Sequence, residues 1–203
     1  TITATVLSAL TGATGTRSGG LGPWVYTAAG LPAWATVNSS TGEIAGTPTS
    51  GGTTSGITLT VTDANGAAVT TNTFAIVVQA AVLATPTISS ATPVDATTNS
   101  ILVKITPVSN ASSYTVGYRV QGTSTFTEVA NFTTATSGQL IAGLDANTTY
   151  DFVVTAIGDG VNFDNSVASV VTQAATWPVA ATPVITISQS DISKTAPQAF
   201  TLS

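Results

Sequence analysis

The chain of 203 residues carries 4 Lys or Arg, 9 Asp or Glu and no His, Cys or Met, for a net charge of −5. Without Cys or His, zinc fingers, iron–sulfur clusters, His-ligated haem and Cys or His catalysis are excluded. So few basic residues cannot neutralise a run of phosphates, which removes nucleic acid as a partner and makes anionic membrane surfaces poor ones.

Charged residues are 6% of the chain, against ~25% in an ordinary soluble domain, yet 43% are hydrophobic. That is enough apolar surface for burial to oppose the entropy of ordering. Thr alone is about a fifth of the chain. Thr, Val, Ile, Tyr and Phe form strands, and the straight-chain helix formers are scarce, so the chain is expected to be nearly all β. No apolar run is long enough for a membrane-spanning helix. The sequence opens on Thr1 and shows no signal peptide, and reads as a processed form or an excerpt. Absence of Cys fits a bacterial extracellular β protein better than a disulfide-bearing animal one.

In chain order, the first expected strands are Thr3–Leu7, Trp24–Thr27, Thr36–Val37, Glu43–Ala45, Ile57–Thr62 and Val69–Val78. Residues 58–62 alternate, with Leu59 and Val61 on one face and Thr on the other. Asp63-Ala64-Asn65-Gly66 then supplies a hairpin turn, Asn-Gly accepting the positive φ angles it needs. Val82-Leu83-Ala84-Thr85-Pro86-Thr87-Ile88 returns as Ala180-Ala181-Thr182-Pro183-Val184-Ile185, about 97 residues later. That spacing suits sandwiches of ~100 residues, and each Pro can head a strand. The domains expected are 1–81, 86–175 and a remainder, 176–203.

The second segment offers Ile101–Thr106, Ser113–Val120, Phe126–Phe132, Gly138–Ile141, Thr149–Ile157 and Val167–Thr172. Tyr114, Val116, Tyr118 and Val120 share a face. Val153 breaks the alternation around Tyr150 and Phe152, as a strand buried from both sides would. The remainder is too short to fold alone. Its apolar Ile185, Ile187, Phe200 and Leu202 would each forgo about 1.5–3 kcal/mol if left exposed. The remainder is therefore expected to begin a further domain or to pair with another chain.

Residues 31–49 read LPAWATVNSSTGEIAGTPT. The Leu-Pro, Trp, polar turn, Thr-Gly, apolar residue and Gly-Thr-Pro at Leu31, Pro32, Trp34, Ser40, Thr41, Gly42, Ile44, Gly46, Thr47 and Pro48 resemble the putative-Ig and dystroglycan-type cadherin-like domains of bacterial surface proteins. The VTDANGAAV of residues 61–69 fits the same resemblance, which covers most of residues 1–80 and implies a β-sandwich used as a spacer or adhesive module. Gly42 and Gly46 read as points of tight turning or close approach, and Trp34 as a core plug rather than a sugar-stacking residue. The second segment resembles a fibronectin type III domain: Leu144-Asp145-Ala146-Asn147-Thr148-Thr149-Tyr150 matches the approach to its sixth strand, and SSYTVGYRV (residues 112–120) its third. The resemblance implies that Tyr150 is the tyrosine-corner residue, bonding back to upstream backbone. Ile105 stands where the family often has Trp, and no Arg-Gly-Asp is present.

The fold class expected is thus all-β, tandem immunoglobulin-like β-sandwiches joined by short Pro-containing linkers. Site candidates are few. Asp159, Asn162 and Asp164, with Asn165, could present oxygens to Ca²⁺, but no bidentate Glu lies near and these are also ordinary turn residues. A solvated turn without a cofactor is therefore the expected reading, and calcium the one cofactor alternative. Asp63 with Asn65 is a weaker version of the same arrangement. Trp24, Tyr26 and Trp177 could form a carbohydrate platform or, for Trp177, an interdomain wedge. Glu43 and Glu128 lie in different domains, so paired-carboxylate chemistry is not expected. Sequons at Asn38, Asn110, Asn131 and Asn147 are matches a Ser/Thr-rich chain produces by chance.

The function expected is a non-catalytic, extracellular structural or adhesive array on a bacterial surface. Its partners would be neighbouring modules, copies of itself, or a cell-surface glycan or protein. One alternative is a self-assembling fibre, sheath or surface layer using terminal strand addition, favoured by edges poor in the charges that deter it. Another is an accessory region of a secreted polysaccharide-degrading enzyme.

Overall fold

The computed structural model describes residues 1–95, 99–133 and 138–179. None of these residues is helical. The expected strands at Ile185–Ile187 and Phe200–Leu202 lie outside the described residues.

The first sandwich is built from β1 (Ile2–Thr5), β2 (Leu10–Ala13), β3 (Val25–Ala29), β4 (Ala35–Val37), β5 (Ile44–Gly46), β6 (Gly52–Thr62), β7 (Ala68–Thr70) and β8 (Phe74–Gln79). One sheet has the order β1-β8-β6-β3, with β7 also on β6, and the other is β2-β5-β4. β1 runs parallel to β8, and the other pairs are antiparallel. The alternation along β6 sends Ile57 and Leu59 inward, where Ile57 joins Val6, Ile44 and Ile76 in the core.

Two expectations change here. β2 is not among the expected strands, because Leu10 is its lone buried residue and no alternation marks it. The single strand expected over Val69–Val78 is two strands, β7 and β8, interrupted at residues 71–73. Thr71 donates its N–H to Leu59 O (2.9 Å), and its Oγ1 accepts from Leu59 N (3.0 Å). The hydroxyl thus stands in for a ladder carbonyl, and pairing resumes only at Phe74 opposite Ile57.

After the short β9 (Ala81–Val82) comes the second sandwich: β10 (Thr87–Asp95), β11 (Ser100–Thr106), β12 (Ser113–Val120), β13 (Thr127–Phe132), β14 (Gln139–Ile141), β15 (Thr149–Ile157), the two-residue β16 (Phe163–Asp164) and β17 (Thr172–Ala175). The sheets are β10-β11-β14 and β13-β12-β15-β17. Ile101, Val103, Val116, Phe152 and Val154 fill the space between them. Ile105 is buried in this core. Tyr114 tilts against Phe132 at 5.6 Å between centroids, within the favourable range for aromatic pairs.

β10 is likewise absent from the expected strands, since Pro93 and the polar Ser89, Ser90 and Thr92 obscure the period, and the register shifts between Ile88 and Ser90. The expected strand Val167–Thr172 is replaced by an irregular segment over 166–171, with β17 starting at Thr172. Its cause is chemical. Ser166 and Ser169 give their N–H groups to the carbonyls of Ala156 and Val154 (both 2.9 Å). Their Oγ atoms accept from Ala156 N (2.9 Å) and Val154 N (3.0 Å). A spacing of three residues along this segment matches a spacing of two along β15, so regular pairing is impossible there.

Candidate functional site: the joint between the sandwiches

The turn 158–165 leaves the end of β15 and reaches the first sandwich. Asp159 organises it. Oδ1 accepts from the backbone N–H groups of Val161 (2.9 Å), Asn162 (2.7 Å) and Phe163 (2.9 Å), and Oδ2 from Asn162 Nδ2 (2.8 Å). These bonds, that from Phe163 foremost, hold the Asp159 carboxyl well below its ordinary pKa. Gly160 N donates to Phe163 O (3.1 Å), and Gly158 N to Asn165 Oδ1 (3.0 Å).

The turn so shaped is bonded across the joint. Asn162 Oδ1 accepts from Gly51 N (2.9 Å), and Asn162 O from Ala81 N (2.9 Å). Asp164 O accepts from Leu83 N (3.1 Å). β16 thereby pairs in parallel with β9, Phe163 opposite Ala81 and Asp164 opposite Val82. Gly51 is required by proximity: a Cβ there would collide with the carbonyl oxygen of Val161. Phe163 packs against both hydrophobic cores, and Leu83, within the connecting stretch, is buried in the second. The connection is therefore not a free tether.

This geometry bears on the calcium candidates. Asp159 spends both oxygens inside the turn, and Asn162 spends its Oδ1 on the neighbouring sandwich. Among the described residues no group of three or more acidic or other metal-ligating side chains converges on a common point. In the weaker arrangement, Asp63 Oδ1 accepts from Asn65 N and Ala67 N (both 2.9 Å), so it too closes a turn, and its carboxyl is held below the ordinary value, mainly by the bond from Ala67.

The aromatic platform is not assembled. Tyr26 is buried, and a Cβ on Gly42 would lie 2.6 Å from its Cδ1. One face of Trp24 carries the Arg17 guanidinium at 3.8 Å, and Gly22 lies against its six-membered ring. Trp177 sits on the other sandwich, where its carbonyl accepts from Asn147 N (3.0 Å), at the opposite end of β15 from the joint.

The remaining residues singled out from the sequence are structural in placement. Trp34 is half-buried against the first core, directly over Gly46, whose φ is +152° and whose Cβ would strike the Trp34 carbonyl. Gly42, at φ +76°, ends a turn in which Asn38 Oδ1 accepts from Ser40 N (2.9 Å) and Thr41 N (3.2 Å). Pro48 is fully buried, and its carbonyl accepts from Leu7 N (2.9 Å). Tyr150 Oη accepts from Asp145 N at 2.9 Å.

The sequence reading missed Gly51, Asn162 as a cross-joint acceptor, and Phe163. One signal was present: an aromatic inside an Asp/Asn/Gly turn has to be covered by something.

Residues 1–79 match the family model described as Putative Ig domain. No curated protein matches the chain. Among solved structures, it is similar to the FN1–FN3 domains of chicken CNTN1, with 16% identity and a TM-score of 0.44, over 87% of this chain and 62% of that one. The chain thus spans less than two thirds of that structure's length. Residues 1–79 thus match the model of the putative Ig domain family, and a seven-stranded, two-sheet β-sandwich follows them.

Proposed function

We propose that the chain is a stiff, non-catalytic spacer in the extracellular part of a bacterial surface protein, holding two sandwiches at a fixed angle within a longer array of modules. The observation that supports this reading is the joint. Three backbone or side-chain bonds cross it, from Gly51, Ala81 and Leu83, and Phe163 is wedged between the cores. Flexible linkers leave module orientation to chance, whereas a bonded joint transmits position and force along an array. The Cys-free, charge-poor composition accords with an extracellular setting. Binding partners on this reading are neighbouring modules and a cell-surface glycan or protein, and no cofactor is needed.

Small-angle X-ray scattering tests the stiffness. The wild type should give one compact distance distribution, and Asn162→Ala or Gly51→Ala a broader one with a larger maximum dimension. A wild type as flexible as the variants would refute the spacer reading. Protease treatment of intact source cells tests the location, since a surface array should release peptides of this chain while the cells remain closed.

A further inference from the structure

We propose that the pole of the first sandwich away from the joint is an acceptor groove for a β-strand from a second copy of this chain, and that residues 184–187 supply that strand. This rests on the structural-array reading and gives the array a means of growing.

The groove begins with an open edge. β7 pairs with β6 on one side only, and β1 covers β8 from Ile76 to Gln79 and no further. Thr71 N bonds Leu59 O, and Asp63 N bonds Ala67 O. Val61 and Val69, midway between, are then the next hydrogen-bonded pair, so the backbone groups of Ala68 and Thr70 turn outward, toward the empty edge. Val69 lies on the inward face, opposite Val61, yet it is 71% exposed, because none of the described residues lies across it. The space beside it continues as two cavities of about 440 and 230 Å³ that share Gly15, Leu59 and Thr71. Their far wall is the strandless stretch 15–20, and Ile44 and Phe74 floor the smaller one. An unpaired edge above an apolar trough is the geometry that strand addition uses.

Polarity identifies the occupant. β6 starts at Gly52 beside the joint and ends at Thr62 by the groove, so the groove lies at the pole away from the second sandwich. β15 ends at the joint with Ile157 and starts at Thr149, where Ala175 pairs with it and the chain leaves. The groove and the exit are thus at opposite poles. From Trp177 to Ile185 is 8 residues, a reach of about 27 Å, which only matches the length of β15 back to the joint, and the groove lies the further length of β6 beyond that joint. Residues 184–187 therefore cannot reach the groove of their own molecule. Their sequence, Val-Ile-Thr-Ile, sets Ile185 and Ile187 on one face, and no charge intervenes between Val179 and Asp191. A donor at one pole and an acceptor at the other make a head-to-tail contact, which repeats into an open row.

Sedimentation velocity on the full 203-residue chain tests this. The wild type should grow in mass with concentration into the high micromolar range. Val69→Lys, which blocks the groove, and the double variant Ile185→Asp/Ile187→Asp, which spoils the donor, should each remain monomeric with melting temperatures near that of the wild type. Mixed in equal amounts, the two variants should form dimers and stop there, because one intact groove and one intact donor remain. A wild type that stays monomeric at millimolar concentration, a variant that assembles like the wild type, or a mixture that stays monomeric would overturn the inference. None of these results would touch the spacer reading, whose own test is the joint.

Discussion

Tyr150 shows how one hydroxyl holds a loop. Its Oη accepts from Asp145 N, while Thr176 Oγ1 donates to Asp145 O (2.6 Å), so both backbone groups of Asp145 are held by side chains. Tyr150→Phe leaves a part-buried N–H without its acceptor, and should lower unfolding free energy by about 1–2 kcal/mol with an unchanged denaturant slope. The Asp159 carboxyl acts similarly on the joint. Because its folded pKa is depressed, the stability it contributes is complete above the unfolded value of ~3.9 and is lost progressively as pH falls below it. Melting temperatures recorded from pH 5 to pH 2 should fall less steeply for Asp159→Asn than for the wild type. The same carboxyl already accepts four hydrogen bonds within the turn, which a cation would have to displace. Calcium at millimolar concentration should therefore leave the melting temperature in place, and an upward shift would show the turn opening to bind it.

At the scale of elements, regular strands were legible and irregular edges were not. The strands over 113–120 and 149–157 match the expectation, because their alternation faces one well-filled core. β12, β15 and β17 are further tied across by Arg119, which bonds Asp151 (3.1 Å), and Gln173, whose Nε2 donates to the same carboxylate (2.9 Å). No local period announces such a row; it exists only once the three strands are aligned. The serine edge is of the same kind. Its hydroxyls are the acceptors for two N–H groups of a central strand, and both bonds are buried. Ser166→Ala and Ser169→Ala should each cost about 1–3 kcal/mol, much more than an exposed Ser→Ala change, in chemical denaturation of the second sandwich.

At the scale of the molecule, Phe163 belongs to both cores. Phe163→Ala should lower the stability of each sandwich and also uncouple them, so that calorimetry shows two transitions further apart than in the wild type. A core change confined to one sandwich, such as Phe152→Ala, should instead cost about 3–5 kcal/mol there and leave the other transition nearly unmoved.

The sequence alone determined the class of the protein. Too few charges, no His or Cys, and period-two apolar patterning exclude most chemistry and require packed sheets, because these are properties of composition and near neighbours. The turn at Asp63–Gly66 and the turning point at Gly42 were legible for the same reason. What only the tertiary structure decided is where distant segments meet. It turned the candidate calcium residues into a joint, set Trp177 of the supposed sugar platform apart from Trp24 and Tyr26, and left the inward face of Val69 uncovered. Each of these depends on approaches between residues as far apart as Gly51 and Asn162, and a period read along the chain carries no information about such pairs.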